Sequence, residues 1–177
     1  MSRAEGSWVD PARGRARLGT WIEQWRESER HALRPTTLAR DEIYLRTRVI
    51  PTFGDIPLAR IEHQDVQEWV NELATIYAPT TVHKCHQILR KVMTAAMKNR
   101  MIAWNPCDGV QLPRVKRQEM RFLTPGQVSE LADAIEPRYR SFVLVGAYGG
   151  LRLGEMTGLR WERVDLLRRR VDVAEIS

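Results

Sequence analysis

Residues 80–102, TTVHKCHQILRKVMTAAMKNRMI, contain no proline, no glycine and no acid. So long a run without a breaker constrains the chain more than any other feature, because it can form one long helix and little else. At about 100° per residue, Val82, Cys85, Leu89, Val92, Met93 and Ala96 gather on one face. Lys84, Gln87, Lys91 and Lys98 fall opposite, within about one sixth of a turn of each other. Solvated helix faces usually mix signs to gain i,i+4 pairs. A single-sign stripe carrying a glutamine suits phosphate contacts with a base-reading amide among them. A plain solvated face and a nucleic-acid face both fit this helix taken alone.

The charge map favours the second. Between Thr80 and Arg121, nine lysines and arginines face only Asp108 and Glu119, a net +7. The whole chain of 177 residues carries +6, so the remainder sums to −1. The basicity belongs to one segment, as an electrostatic footprint for a polyanion would. An apolar share of 43% with mixed charges elsewhere excludes global disorder and permits one ordinary domain or two small ones.

Three shorter helices precede the basic one. LGTWIEQWRESERHA repeats Leu18, Trp21, Ile22 and Trp25 at helical steps, and residues 1–16 read as a loosely ordered lead-in. In RPTTLARDEIYLRTRVIPTFGDIPL, Pro35 suits a first helical turn, while Pro51 and Gly54 are expected to close the segment. EHQDVQEWVNELA places Val66, Trp69, Val70 and Leu73 on one face. After the basic helix, Pro106, Gly109 and Pro113 break the chain. A basic interdomain linker is expected over residues 111–121, with Arg114, Lys116, Arg117 and Arg121 as a strap.

A second unit then begins. TPGQVSELADAI has Thr124 as N-cap, PRYRSFVLVGAYGG is an apolar helix with a glycine-rich end, and RRRVDVAEIS alternates like one β-strand. Between them lies YGGLRLGEMTGLRW. Its glycines suggest a phosphate loop, but no Lys-Ser/Thr follows and no strand precedes a helix, so the nucleotide-binding readings fail on context. Arg152 stands where one helix ends and another starts. It can offer a planar fork to two phosphate oxygens with Glu155 orienting it, or it can cap the preceding helix.

Other chemistries find little support. His83, Cys85 and His86 are close, but the cysteine faces the apolar side and no CxxC pair exists, so a buried cysteine beside surface histidines is expected rather than zinc. Ser141 has no nucleophile elbow, and no carboxylate pair is spaced for acid/base work. The six tryptophans sit mostly at apolar periodic positions and are expected in the core. Two cysteines make no disulfide framework, and no apolar h-region or membrane-length run occurs, which leads to the expectation of a cytoplasmic protein with no membrane partner.

The order of these pieces resembles the tyrosine recombinases, the phage-integrase family. TPGQVSELADAI, an apolar helix, then YGGLRLGEMTGLRWERVDLLRRRVDV is similar to the start of that family's catalytic domain. RPTTLARDEIYLRTRVIPTFGDIPL through NPCDGVQLP resembles its helical core-binding domain, and GSWVDP the connection from an arm-binding domain. The resemblance implies a mainly α chain. A lead-in (1–16) precedes a helical, SAM-like core-binding domain (17–110), the basic linker (111–121) and the α-helical beginning of an incomplete α+β catalytic domain (122–177).

The family cuts and rejoins duplex DNA without metal or other cofactor, a tyrosine attacking a backbone phosphate while arginines stabilise the developing charge. Arg152 is then the first catalytic arginine, with Glu155 in support; Gly149 stands where the family has threonine. The family's lysine, His-x-x-Arg box and nucleophilic tyrosine match no position here, so a chain that binds DNA without cleaving it is expected. Lys84, Gln87, Lys91 and Lys98 would face DNA, joined by Thr81 in the same helix and by Thr36, Thr37 and Arg40 from the second. Arg114, Lys116 and Arg117 would follow the backbone. The resemblance also implies a homo-oligomer on DNA, tetrameric in the family. A non-catalytic regulatory DNA-binding protein and an inactive prophage remnant are the alternatives.

Overall fold

The computed structural model describes residues 13–30, 34–116 and 119–173. The chain divides into two compact units, Met1–Arg117 and Gln118–Ser177. Helices dominate both.

In the first unit, α1 (Leu18–Glu29) buries Leu18, Trp21, Ile22 and Trp25, the four residues its periodicity marks. α2 (Pro35–Tyr44) starts on Pro35, whose missing N–H costs nothing in a first turn. Pro51 does not close this segment. The chain passes through a π-turn over Leu45–Val49 and continues as α3 (Ile50–Phe53), with Pro51 in its first turn; Gly54 follows as its cap. A proline ring clashes with the carbonyl four residues back. The backbone widens instead, and the Ile50 N–H reaches the Leu45 carbonyl, five residues away. The Thr47 hydroxyl donates to the Ile43 carbonyl at 2.6 Å. Leu45, Val49 and Phe53 all turn into the core, where Phe53 meets Trp69 edge-on at 5.4 Å.

α4 (His63–Ile76) opens with the Asp65 carboxylate accepting from the Glu62 N–H at 2.8 Å, and it buries Val66, Trp69, Val70 and Leu73. α5 (Pro79–Lys98) is the long helix read from the sequence, and all six residues of its expected apolar face are buried. The Trp21 indole N–H donates to the Val92 carbonyl at 3.1 Å, which fixes α1 across the middle of α5.

The chain after α5 folds back over the unit. Asn105 is buried, donates to Thr94 Oγ1 at 2.9 Å and accepts from the Cys107 N–H at 3.0 Å. Gln67 exchanges two hydrogen bonds with the Gln111 backbone, at 2.8 and 3.1 Å. The histidines take part as well. His86 is buried with Nε2 3.1 Å from the Cys107 carbonyl, and His83 Nε2 lies 2.8 Å from the Pro113 carbonyl. Expected at the surface, His86 is instead covered by this returning segment, a long-range event that helical periodicity does not encode. Gln111 and Pro113 are thereby tied to α4 and α5, while Arg114 and Lys116 are exposed.

In the second unit, Thr124 caps α6 (Pro125–Ala134) through reciprocal bonds with Gln127, at 3.0 and 3.3 Å. α7 (Arg140–Gly149) ends on Gly150, whose φ of 66° lies in the left-handed region open to glycine. α8 (Leu153–Thr157) packs on α7 where Gly146 has no side chain; a Cβ there would stand 2.9 Å from Met156 Sδ. The single strand expected over 168–177 is replaced by a hairpin. β1 (Val164–Asp165) pairs antiparallel with β2 (Arg170–Val171), and the Asp165 carboxylate accepts from the Arg168 N–H at 2.9 Å to close the turn. Residues 174–177 of that expected strand lie outside the described residues. Trp21, Trp25 and Trp69 are core residues as expected, but Trp104 and Trp161 are 52% and 84% exposed. Trp104 lies beyond the end of α5, and Trp161 opens a single 3-10 turn (Trp161–Arg163) ahead of β1 that buries none of its residues.

Candidate nucleic-acid interface

α2 and α5 pack side by side, and a cleft of about 210 Å³ opens between them. Its wall on α5 carries Lys84, Gln87, Ile88 and Lys91, successive steps of i, i+3, i+4 and i+7 along one face. Its wall on α2 carries Thr37, Arg40, Asp41 and Tyr44. Five residues singled out from two separate stretches of sequence (Thr37, Arg40, Lys84, Gln87 and Lys91) therefore line one groove. Lys84 Nζ donates to Gln87 Oε1 at 3.1 Å, so the Gln87 NH₂ group is the half of the amide left to donate outward.

The other expected contacts lie around this groove rather than in it. Thr36 is exposed in the first turn of α2, Thr81 is half-buried in the first turn of α5, and Lys98 is exposed in its last turn. Seven residues beyond Lys91, Lys98 extends the stripe by about 10 Å along the helix axis. Arg114 and Lys116 are exposed on the strap; Arg117 lies outside the described residues.

The stripe is not wholly free of acid, contrary to its reading as a segment. Asp41 from α2 lies 3.7 Å from Lys91 Nζ and 3.8 Å from Arg40 Nε, with its side chain only 15% exposed. The Lys91 ammonium also lies 5.1 Å from the centre of the Trp25 ring. Arg90 pairs at 2.9 Å with Asp108, one of the two acids already counted in the net +7. Sequence reasoning missed Asp41 and Tyr44. The only available signal was their spacing, one turn and two turns past Thr37, which becomes informative once α2 is known to face α5.

A larger cleft of about 600 Å³ is lined by Leu58, Ile61, Met101, Ile102, Trp104 and neighbours, with Glu62 in its wall and no lysine or arginine among the described residues that line it. Its charge is wrong for a polyanion. Burial pushes the Cys85 thiol up and the Cys107 thiol up to about 12, while burial lowers His86 below the ordinary histidine value. These groups are engaged with the fold. Among the described residues no three His, Cys, Asp or Glu side chains converge as a metal site would require, and no helix is long and apolar enough to cross a membrane.

In the second unit, Arg152 takes the N-cap position of α8, not the C-terminal cap of α7, which belongs to Gly150. The Arg152 N–H donates to Glu155 Oε2 at 2.8 Å, and its Nη1 donates to Oε1 at 3.1 Å. Glu155 thus grips the backbone and guanidinium of the same residue. These bonds, the backbone one foremost, hold its carboxyl below the usual carboxylate range. The Arg152 side chain is 88% exposed, so its remaining donors face outward beside a short helix start.

The family model for the phage integrase N-terminal SAM-like domain matches residues 17–74. The chain is 30% identical over 117 residues to an integrase of Mycobacterium phage FRAT1, covering 66% of this chain and 34% of that protein. It is 31% identical over 119 residues to a tyrosine recombinase of Thermosipho africanus, covering 62% of this chain and 42% of that protein. The chain thus spans well under half the length of these curated relatives. A crystal structure of a lambda integrase dimer bound to a core site (residues 75–356) shares its fold with a TM-score of 0.75 at 15% identity, over 85% of this chain and 54% of that one. Residues 17–74 of this mainly α chain thus belong to the phage integrase N-terminal SAM-like domain family, and the chain is similar to integrases and tyrosine recombinases over about two thirds of its length.

Proposed function

We propose that this chain is the DNA-binding portion of a site-specific recombinase acting in DNA integration, gripping duplex DNA through the α2–α5 groove. The observation that carries this reading is the groove itself, where Thr37, Arg40, Lys84, Gln87 and Lys91 converge from two helices. Lysine and arginine there neutralise phosphates, and the Gln87 amide reads a base edge. Residues 17–110 act as the core-binding domain, the strap from 111 to 121 adds Arg114, Lys116 and Arg117 along the backbone, and residues 122–177 supply the first part of a catalytic domain. Arg152 presents its guanidinium to the phosphate under attack, with Glu155 holding it. Thr36, Thr81 and Lys98 supply flanking phosphate contacts.

The test is a binding titration on duplex DNA across a salt series. Each phosphate neutralised releases counterions, so log K falls linearly with log salt. Lys84→Ala should weaken binding on every sequence and flatten the salt slope by about one. Gln87→Ala should reduce discrimination between sequences with little change in slope. A salt-independent affinity would remove the groove as the contact. The resemblance places no nucleophile among residues 1–177, so a suicide duplex should give no covalent adduct with this polypeptide. The reading extends to self-association on DNA, checked by the mass of the complex in solution.

A further inference from the structure

We infer that Asp41 is a specificity-determining residue whose carboxylate accepts a hydrogen bond from the exocyclic amine of a base seated in the α2–α5 groove. The inference rests on the duplex-binding reading above and names a residue that reading does not use.

An anion in the wall of a phosphate cleft serves it by orienting a cation through close hydrogen bonds, as Glu155 does for Arg152, and otherwise repels the phosphate. Asp41 is nevertheless held there, largely enclosed, between Arg40 at 3.8 Å and Lys91 at 3.7 Å. Both separations are ion contacts longer than hydrogen bonds, so the two cations offset its charge without occupying its lone pairs. No side-chain hydrogen bond to the Asp41 carboxylate occurs among the described residues. Across the groove, Gln87 Oε1 accepts from Lys84, which turns the Gln87 NH₂ toward the cleft as a donor with no protein partner among the described residues. The groove therefore offers a donor from α5 opposite an acceptor from α2. In the major groove, adenine presents an acceptor (N7) beside an amino donor (N6), and cytosine presents an amino donor (N4). Guanine and thymine present only acceptors at these positions and would meet the carboxylate with repulsion. Asp41 thus acts twice, by pairing with an amine and by excluding bases that lack one.

The experiment is selection from a duplex library with a randomised core, using the full chain and its Asp41→Asn and Asp41→Ala variants, each checked for helical content. The unsubstituted chain should enrich adenine or cytosine over guanine or thymine at one position, by about tenfold. Asp41→Ala should lose the preference at that position alone, while affinity for unselected duplex rises because an anion has left a basic cleft. Asp41→Asn, which keeps an acceptor oxygen, should retain part of the preference. If Asp41 only anchors Lys91, Asp41→Ala will lower affinity on all sequences and leave the selected bases unchanged, which overturns the inference. Salt-dependent binding by the unsubstituted chain with no base enriched overturns it too, and leaves the duplex reading standing. No binding at all overturns both.

Discussion

The Lys91 ammonium rests 5.1 Å from the centre of the Trp25 ring, and Trp25 itself is only 2% exposed. A core residue of α1 therefore supports a cation of the groove from below. The ring face attracts the charge and limits where the long side chain can go. Trp25→Leu should reduce affinity for duplex DNA about two- to fivefold, and Trp25→Phe should lose less because a ring face remains. Both lose buried volume and will melt earlier, so binding is compared at a temperature where each is fully folded. Equal losses for the two variants would remove the ring face from the account.

His86 predicts an acid-sensitive fold. Burial is the main force lowering it, reinforced by Arg90 and His83 and opposed by the Cys107 carbonyl and Asp108. Its unfolded counterpart titrates near 6.5. Below that pH the unfolded chain takes up a proton that the folded chain refuses, so stability is full above it and falls as the pH drops through it. Denaturant midpoints at about pH 7.5 and pH 5.5 should differ for the natural chain and differ less for His86→Gln, which cannot titrate. An unchanged difference in His86→Gln would assign the effect to other groups.

Neither thiol should react in the native chain. The thiolate is the reactive form, and burial pushes Cys107 up to about 12 and raises Cys85. A chromogenic disulfide reagent at neutral pH should find no thiol in the folded protein and both on unfolding. The chain has only two cysteines, which makes the count unambiguous. Rapid native labelling of either would contradict their burial.

Glu155 should titrate below its ordinary 4.5 in a carboxyl-carbon NMR experiment. The Arg152 backbone N–H is the first cause, ahead of the guanidinium. Arg152→Ala should therefore keep part of the depression, because the backbone N–H stays in place. Arg152→Pro removes the N–H as well, at a φ of −71° that proline accepts, and should return the carboxyl toward 4.5. A full return in Arg152→Ala would reverse the order of the two causes.

The helices were legible in the sequence because periodic burial is local information. Leu18, Trp21, Ile22 and Trp25 mark α1, Thr124 marks the start of α6, and the six apolar positions of α5 are all buried. Both walls of the groove were legible as lists, since Thr37 and Arg40 were named from one stretch and Lys84, Gln87 and Lys91 from another. Their convergence was not, because it depends on which helix packs on which. Asp41 escaped for the same reason: it lies fifty residues from Lys91 in sequence, and no local count of acids finds it. His86 was placed at the surface because nothing within α5 reports that the chain will return to cover it. The β1–β2 hairpin was missed because four paired residues are too few to alternate visibly.

The π-turn at Leu45–Val49 ties the groove to the number of residues in the chain as much as to their identity. Losing any one residue there would let the backbone relax into an ordinary helix with every side chain of the groove still present. The wide turn absorbs one residue beyond the α-helical count, so that loss would leave Thr37, Arg40 and Asp41 at nearly the same angle about the axis. One residue added beside the turn has no such outlet and would rotate them about 100°, away from α5. Losses and gains of a residue in this stretch are thus different kinds of lesion: the first removes the widened turn, and the second turns one wall of the groove away from the other.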